Sequence, residues 1–141
     1  MESLKEEKVE DLLCNHLEDN GWVVKNRHTK DLGEHGCDII AFHPKWRKYY
    51  YIECKGDGKA KNQTVHNSFY TLFGQILSRM DIEGNNPKKA RYYALAIPAS
   101  WEKTFKNKIK KMPFGWKLLK LEVFLVSKTK VEKKSYSYFL K

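Results

Sequence analysis

The apolar positions at the start of the chain recur at the spacing of an α-helix. Leucine or valine occupies positions 4, 9, 12, 13 and 17, which form one stripe on a helical surface. Ser3 and Glu6 fit a capping box at the start of this helix, and Asn20-Gly21 ends the pattern. The sequence therefore predicts a first helix with one buried side.

Shorter apolar runs, bounded by polar or glycine-bearing segments, predict six strands. These runs cover residues 22–26, 37–42, 49–55, 91–98, 118–126 and 135–140. The short turn at residues 43–48 joins the second and third runs, so we expect these two strands to form an antiparallel hairpin. The last run alternates polar and apolar residues, as an edge strand does.

Two more helices are predicted between the strands. One apolar stripe spans residues 65–80 and another spans 101–109, with Ser100 as the expected cap of the second helix. Residues 113–115, Pro-Phe-Gly, are expected to end that last helical segment. The order α-β-β-β-α-β-α-β-β predicts an α/β fold in which helices flank a mixed β-sheet. We expect residues 1–141 to form a single domain, because a chain of this length buries one core.

The balance of charge favours an anionic partner. The chain carries 27 lysine and arginine residues against 17 aspartate and glutamate residues, a formal net charge of +10 at pH 7. Such an excess of positive charge attracts the phosphates of nucleic acids. No run of about 18 apolar residues is present, so we expect no membrane span. The first residues are charged and lack the apolar core of a signal peptide, which indicates a cytoplasmic protein.

Three charged residues interrupt the second and third apolar runs. Burying an unpaired charge is costly, so Asp38, Glu53 and Lys55 need a reason to be there. Alternation along a strand puts Glu53 and Lys55 on one face, and the hairpin can bring Asp38 beside them. Two neighbouring carboxylates suit Mg²⁺ or Mn²⁺, and a lysine beside the ion can orient or deprotonate a water. This combination predicts metal-assisted hydrolysis of phosphodiester bonds.

The pattern of Asp38 followed by Glu53-x-Lys55 resembles the PD-(D/E)xK nuclease superfamily. The predicted first helix, which carries Glu10 and ends at a glycine before a strand, is similar to the start of the archaeal Holliday-junction resolvases, a family within this superfamily. Residues 74–77, Gly-Gln-Ile-Leu, resemble the segment that follows the ExK strand in many of these families. The resemblance covers roughly residues 8–98. One departure is Cys37, which stands where the superfamily often has proline.

The resemblance implies a restriction-endonuclease-like core and a Mg²⁺-dependent (or Mn²⁺-dependent) DNA endonuclease of the repair, recombination or restriction type. It implies that Glu10, Asp38, Glu53 and the backbone carbonyl of Cys54 bind the metal. Lys55 would activate the attacking water, and Gln75 would help to position the water or the phosphate, which completes the expected catalytic set. Since resolvases act as dimers, the resemblance also allows a homodimer.

Basic residues near these motifs are the expected contacts to DNA phosphates. They are Arg27, Lys30, Lys59, Lys61 and Arg79, four of them in or beside the loops that flank the predicted hairpin and one in the helix after it. Flexible basic loops of this kind can become ordered on nucleic acid.

Two other interpretations of the same residues stay open. The chain can be a DNA-binding module of the same fold that does not cleave, although degenerate members usually lose the lysine or a carboxylate, and all are present here. Alternatively, Asp38, Glu53 and Lys55 can form a structural salt-bridge cluster on a basic protein. That second alternative leaves the coincidence of Glu10 and the segment at 74–77 without an explanation.

Overall fold

A computed structural model describes residues 3–27, 39–58, 61–83 and 90–141 of the chain. Two short 3₁₀ helices, Ala99–Trp101 and Tyr136–Leu140, accompany the regular elements. Those elements are α1 (Glu6–Asp19), β1 (Val23–Arg27), β2 (Ile39–His43), β3 (Lys48–Cys54), α2 (Lys61–Glu83), β4 (Ala90–Pro98), α3 (Glu102–Ile109), α4 (Pro113–Leu119), β5 (Glu122–Val126) and β6 (Val131–Lys134).

The six strands form one mixed sheet in the order β1-β2-β3-β4-β5-β6. β1, β2 and β3 are antiparallel neighbours, and the predicted hairpin pairs Ile39 with Ile52 and His43 with Lys48. β3, β4 and β5 run parallel, because helices carry the chain back between them, and β6 returns antiparallel to β5. The prediction of an α/β fold with a mixed sheet flanked by helices is confirmed.

α1 covers one face of this sheet. Its buried residues Val9, Leu13 and Leu17 share a core with Ile52 and Phe124 from the strands. This is the apolar stripe that the sequence predicts, so the periodicity of the first helix identified the buried side correctly.

The other face is covered by α2, α3 and α4. Phe69 and Ile76 of α2, with Trp116 of α4, share a core with Tyr51 and Leu95 of the strands. Since Tyr51 faces α2 while Ile52 faces α1, the side chains of β3 alternate between two separate cores.

The capping predictions for two helices were wrong. α1 begins after Lys5, and no side chain caps it, so Ser3 and Glu6 do not form a capping box. Ser100 does not cap α3 either, because a 3₁₀ turn at Ala99–Trp101 leads directly into that helix. Backbone turns can begin a helix without a side-chain cap when tertiary packing holds the first turn.

The end of the chain also differs from the prediction. Pro113 begins α4 instead of ending a helix, since a proline without an N–H fits the first turn. The strand predicted at 118–126 starts only at Glu122, and residues 131–134 form β6. The expected final strand is the 3₁₀ helix Tyr136–Leu140, and Trp116 donates a 2.7 Å hydrogen bond from Nε1 to the Tyr136 carbonyl there.

Within the residues that the structure describes, no helix combines the length and apolar character needed to cross a membrane.

Candidate functional site

The residues that lead into α1 are fastened to the segment that follows β3. The Asp57 backbone N–H donates to the Leu4 carbonyl at 2.6 Å, and the Leu4 N–H donates to Asp57 Oδ2 at 2.8 Å. Trp101 Nε1, which is almost fully buried, donates to Asp57 Oδ1 at 2.8 Å. Asp57 therefore joins α1, the end of β3 and the start of α3.

Close contact between backbones accompanies these hydrogen bonds. A Cβ atom at Gly56 would lie 2.1 Å from the Glu6 backbone nitrogen, so only glycine fits between β3 and α1. On the side-chain level, Lys55 Nζ lies 3.7 Å from Glu6 Oε1. The role of Glu6 is thus an ion pair with the predicted catalytic lysine, in place of the capping role that the sequence predicts.

Two buried carboxylates belong to the elements that meet here. Glu10 is 3% exposed and lies four residues after Glu6, one turn further along the same side of α1. Glu53 is 2% exposed and lies next to the last residue of β3. It is in register with Leu95, whose side chain belongs to the core under α2. Strand alternation therefore directs Glu53 toward the α2 face, whereas Glu10 approaches from the α1 face.

The last two residues of β3 extend beyond its described pairing with β2. The final pair of that ladder joins Ile39 and Ile52, whereas the ladder with β4 continues through Glu53 and Cys54. The Lys55 N–H donates to the Ala96 carbonyl of β4 at 3.0 Å. Because N–H and C=O point in opposite directions across a trans peptide, the Cys54 carbonyl points away from β4, toward the side of β2.

Four of the predicted site residues belong to, or directly follow, two elements, β3 and α1, that meet at one corner of the protein. Lys55, Glu53 and Cys54 lie in or just after the end of β3, and Glu10 lies on the helix fastened to it. Gln75 is exposed on α2, while its neighbour Ile76 points into the core.

The other predicted residues lie partly or wholly outside the described residues. Asp38, Lys30 and Lys59 are not among them. Arg27 belongs to β1, and Lys61 and Arg79 belong to α2, but only their backbones are described.

The donor atoms at this corner are suited to a hard cation. Carboxylate and backbone carbonyl oxygens are the ligands that Mg²⁺ and Mn²⁺ prefer. Among the described residues, which do not include Asp38, no three His, Cys, Asp or Glu side chains are close enough together to hold an ion.

An aromatic cavity at the other end of β3 was not predicted from the sequence. It has a volume of about 220 Å³ and lies where α1 ends, beside the turn between β2 and β3. Trp22 and Tyr50 line it with ring centroids 4.5 Å apart, and Trp46 is half exposed at its edge. The sequence feature that could have indicated this cavity is the high density of aromatic residues at positions 42–51. Their spacing alone does not show which of these side chains are buried and which are exposed.

Polar groups in this cavity are paired with one another. The Tyr50 hydroxyl donates to Glu122, at 3.0 Å to Oε1 and 2.8 Å to Oε2, and Lys133 Nζ lies 3.5 Å from Glu122 Oε2. Burial, then the Glu122 carboxylate, raises the pKa of Tyr50 well above its ordinary value. The phenol therefore stays protonated and acts as a hydrogen-bond donor.

Comparison with known proteins identifies a fold relative. No protein-family model and no curated protein matches the chain. A crystal structure described as a FdxN element excision controlling factor protein from Anabaena variabilis superposes with a TM-score of 0.60. The two chains are 18% identical, and the match covers 91% of this chain and 97% of the other. At this identity the likeness shows that the two proteins share a fold.

Proposed function

We propose that the protein is a Mg²⁺-dependent DNA endonuclease whose site lies at the end of β3. The observation that carries the proposal is a buried carboxylate, Glu53, at the end of a central strand and two residues before Lys55. The first turn of α1, with a second buried carboxylate one turn later, is fastened against the same strand end. Buried carboxylates beside a lysine are a costly arrangement for stability alone, and they are common where they serve chemistry.

The described register supports a place for Asp38 in this site. Ile39 pairs with Ile52, so continuing the antiparallel ladder by one residue would put Asp38 opposite Glu53. The same step would put it on the side of β3 toward which the Cys54 carbonyl points. Glu10, which lies on the α1 face, would reach Asp38 and Glu53 past the side of β3 that faces β2. We propose Glu10, Asp38, Glu53 and the Cys54 carbonyl as the ligands of the ion, which when bound would supply a Lewis acid for the scissile phosphate.

We propose that Lys55 handles the attacking water or the charge of the transition state. Its ammonium is only partly exposed and is held near Glu6 at 3.7 Å, which restricts its orientation. We propose that Glu6 aims Lys55 and that Lys55 orients the water by hydrogen bonding. Gln75 is exposed on α2 and is proposed as a contact to the phosphate backbone.

The charge of the protein supports DNA as the substrate. A net charge of +10 draws phosphates to the surface, while two of the acidic residues, Glu10 and Glu53, are buried. Arg27, Lys30, Lys59, Lys61 and Arg79 stay predictions as phosphate contacts. A homodimer and a cytoplasmic location also stay predictions.

A second candidate is a DNA-binding module that does not cleave. The fold relative is described as a factor that controls the excision of an element, and we interpret that element as DNA. Controlling an excision does not require cutting the strand, so a protein of this fold can act by binding alone. The two candidates differ in whether Glu53 and Lys55 are needed for a chemical step.

The test is cleavage of labelled duplex, single-stranded, flap and four-way-junction DNA in the presence of Mg²⁺ or Mn²⁺. Wild type is compared with Glu53→Gln, which keeps the shape of the side chain and removes its charge. Glu132→Gln is the matched control, because Glu132 lies on β6 and pairs with Lys130 and Lys134 at the surface. The melting temperature of each variant verifies that it is folded.

We expect wild type and Glu132→Gln to cut at least one substrate, and Glu53→Gln and EDTA-treated wild type to be at least about a hundredfold slower. The preferred substrate then separates a resolvase from a repair or restriction enzyme. Tight DNA binding with no cutting of any substrate would favour the non-cleaving module. Equal cutting by Glu53→Gln and wild type would place the chemistry elsewhere.

A further inference from the structure

We infer that the aromatic cavity at the end of α1 binds a single unpaired nucleobase, either within a DNA strand or in a free nucleotide. The side chains that argue for this ligand are those of His16, Trp22, Trp46, Tyr50, Phe124 and Lys133. They come from α1, the connection between α1 and β1, the β2–β3 turn, and the strands β3, β5 and β6.

The size of the cavity limits the ligand to one flat ring system. Its volume is about 220 Å³. Sites for drug-sized ligands start at roughly 300 Å³, and an engineered cavity of about 150 Å³ binds benzene. A purine or pyrimidine falls between these limits.

Trp46 provides a surface on which such a ring can stack. It is 54% exposed, although it is the largest apolar side chain in its turn. One face of its indole stacks on His43, with ring centroids 3.9 Å apart and planes inclined by 14°. Trp46 also lines the cavity, where its ring is inclined by 72° to that of Trp22 with centroids 6.2 Å apart. Stacking of bases on exposed aromatic rings is a common mode of binding to unpaired nucleic acid.

The orientation of Trp46 is fixed before any ligand binds. His43 is buried, its Nδ1 accepts a hydrogen bond from the Trp46 backbone N–H at 3.4 Å, and its Nε2 lies 3.3 Å from the Asn20 carbonyl. These partners assign the proton of the ring to Nε2, which donates to Asn20. Gly21, at φ +87°, leaves room for the ring, since a Cβ there would lie 3.0 Å from Nε2. A rigid aromatic surface binds with a smaller entropic cost than a mobile one.

The polar groups of the cavity match an uncharged base. Burial, the largest influence, lowers the pKa of His16, so its imidazole is neutral at pH 7 and can both donate and accept. The edges of bases present neutral donors and acceptors. Positive charge for an attached phosphate is nearby, because Lys133 lines the cavity and the exposed Lys45 and Arg47 flank Trp46 in the turn.

This site is separate from the proposed catalytic corner. Tyr50 precedes Glu53 by three residues, about 10 Å along the strand, and the two side chains point to opposite faces of the sheet. The inference therefore does not rest on nuclease activity, and binding can be measured in EDTA, where no metal-dependent cutting occurs.

The test measures fluorescence anisotropy of a short labelled single strand in EDTA at fixed salt. Wild type is compared with Trp46→Ala and with Phe114→Ala as the matched control, because Phe114 is a 75% exposed aromatic residue on α4. A strand of the same length with abasic sites separates binding of bases from binding of phosphates. A deoxynucleoside monophosphate, detected by quenching of tryptophan fluorescence, tests the free nucleotide.

We expect Trp46→Ala to bind the base-containing strand about 5- to 100-fold more weakly than wild type, and Phe114→Ala to bind it as wild type does. The abasic strand should bind weakly and be insensitive to Trp46→Ala. If only the monophosphate loses binding in Trp46→Ala, the base in the cavity comes from a free nucleotide. The inference is overturned if Trp46→Ala changes the binding of neither ligand, or if it weakens binding of the abasic and base-containing strands to the same extent.

Discussion

Replacing Gly56 by alanine should detach the first turn of α1 from the end of β3. The added Cβ would lie 2.1 Å from the Glu6 nitrogen and 2.4 Å from the Lys5 carbonyl carbon, and both of these atoms belong to the backbone. No side-chain rotation relieves such a contact. Reaching an ordinary separation of 3.4 Å requires the two segments to move apart by about 1.3 Å.

That movement breaks hydrogen bonds, and their loss determines how far the stability of the protein falls. Leu4 exchanges two hydrogen bonds with Asp57, at 2.6 and 2.8 Å, and one of them goes to a carboxylate. Losing one neutral and one charged hydrogen bond costs about 3 kcal/mol, which for a domain of this size lowers the melting temperature by about 10 °C. Since the Lys55 and Glu6 side chains are carried by the same two segments, the proposed DNA cleavage should be slower as well.

The assay is thermal unfolding followed by circular dichroism, with Gly74→Ala as the control. Gly74 lies within α2, and a Cβ there would meet no atom within 4 Å. The same substitution should therefore raise the melting temperature by about 2–3 °C, because alanine stabilises a helix interior by about 0.5–1 kcal/mol relative to glycine. A Gly56→Ala protein that melts as wild type does would refute the close approach of β3 and α1.

Two further predictions concern Asp57 and His16. Asp57→Ala should lower the free energy of unfolding by about 3 kcal/mol, because Trp101 Nε1 and the Leu4 N–H lose their acceptors. Asp57→Asn should lower the free energy of unfolding by less. Equal urea midpoints for the two variants would contradict this role of Asp57. Because burial lowers the pKa of His16 in the folded protein, the unfolded chain binds the proton more readily, and stability should fall as the pH drops below about 6.5. His16→Gln should show a smaller loss of urea stability between about pH 7 and pH 5 than wild type, and an equal loss would contradict the assignment.

The sheet was predictable because its signals are local. Apolar runs and a short turn identify β2 and β3, and the antiparallel hairpin follows from them. The stripe of α1 likewise gave its buried side. These elements depend on side-chain periodicity, which is written directly in the sequence.

The misassigned segments depend on contacts between distant parts of the chain. Ser3 and Ser100 have the chemistry of caps, but each helix start is fixed by a different contact, including the hydrogen bonds of Asp57 to Leu4 and Trp101. The alternation at 135–140 fits a strand, yet Phe139 packs on Trp116 and the segment closes as a 3₁₀ helix. Partners far apart in sequence leave no periodic signal.

The same distinction divides the candidate site. Glu53 and Lys55 could be proposed from one strand, because their spacing places them together. The ion pair of Lys55 with Glu6, the exclusion of any side chain at Gly56 and the aromatic cavity required the packing of α1 against the sheet. The resemblance in sequence supplied Glu10, which local spacing alone does not distinguish from a solvated glutamate.

The central claim is that the carboxylates at the end of β3 hold a divalent ion. The most direct measurement is a titration of the protein with Mn²⁺, in which electron paramagnetic resonance reports the free ion and Mg²⁺ is added as a competitor. We predict that wild type and Glu132→Gln bind Mn²⁺ alike, that Mg²⁺ displaces it, and that Glu53→Gln binds it at least about tenfold more weakly. Equal Mn²⁺ affinity in Glu53→Gln and wild type would contradict the claim.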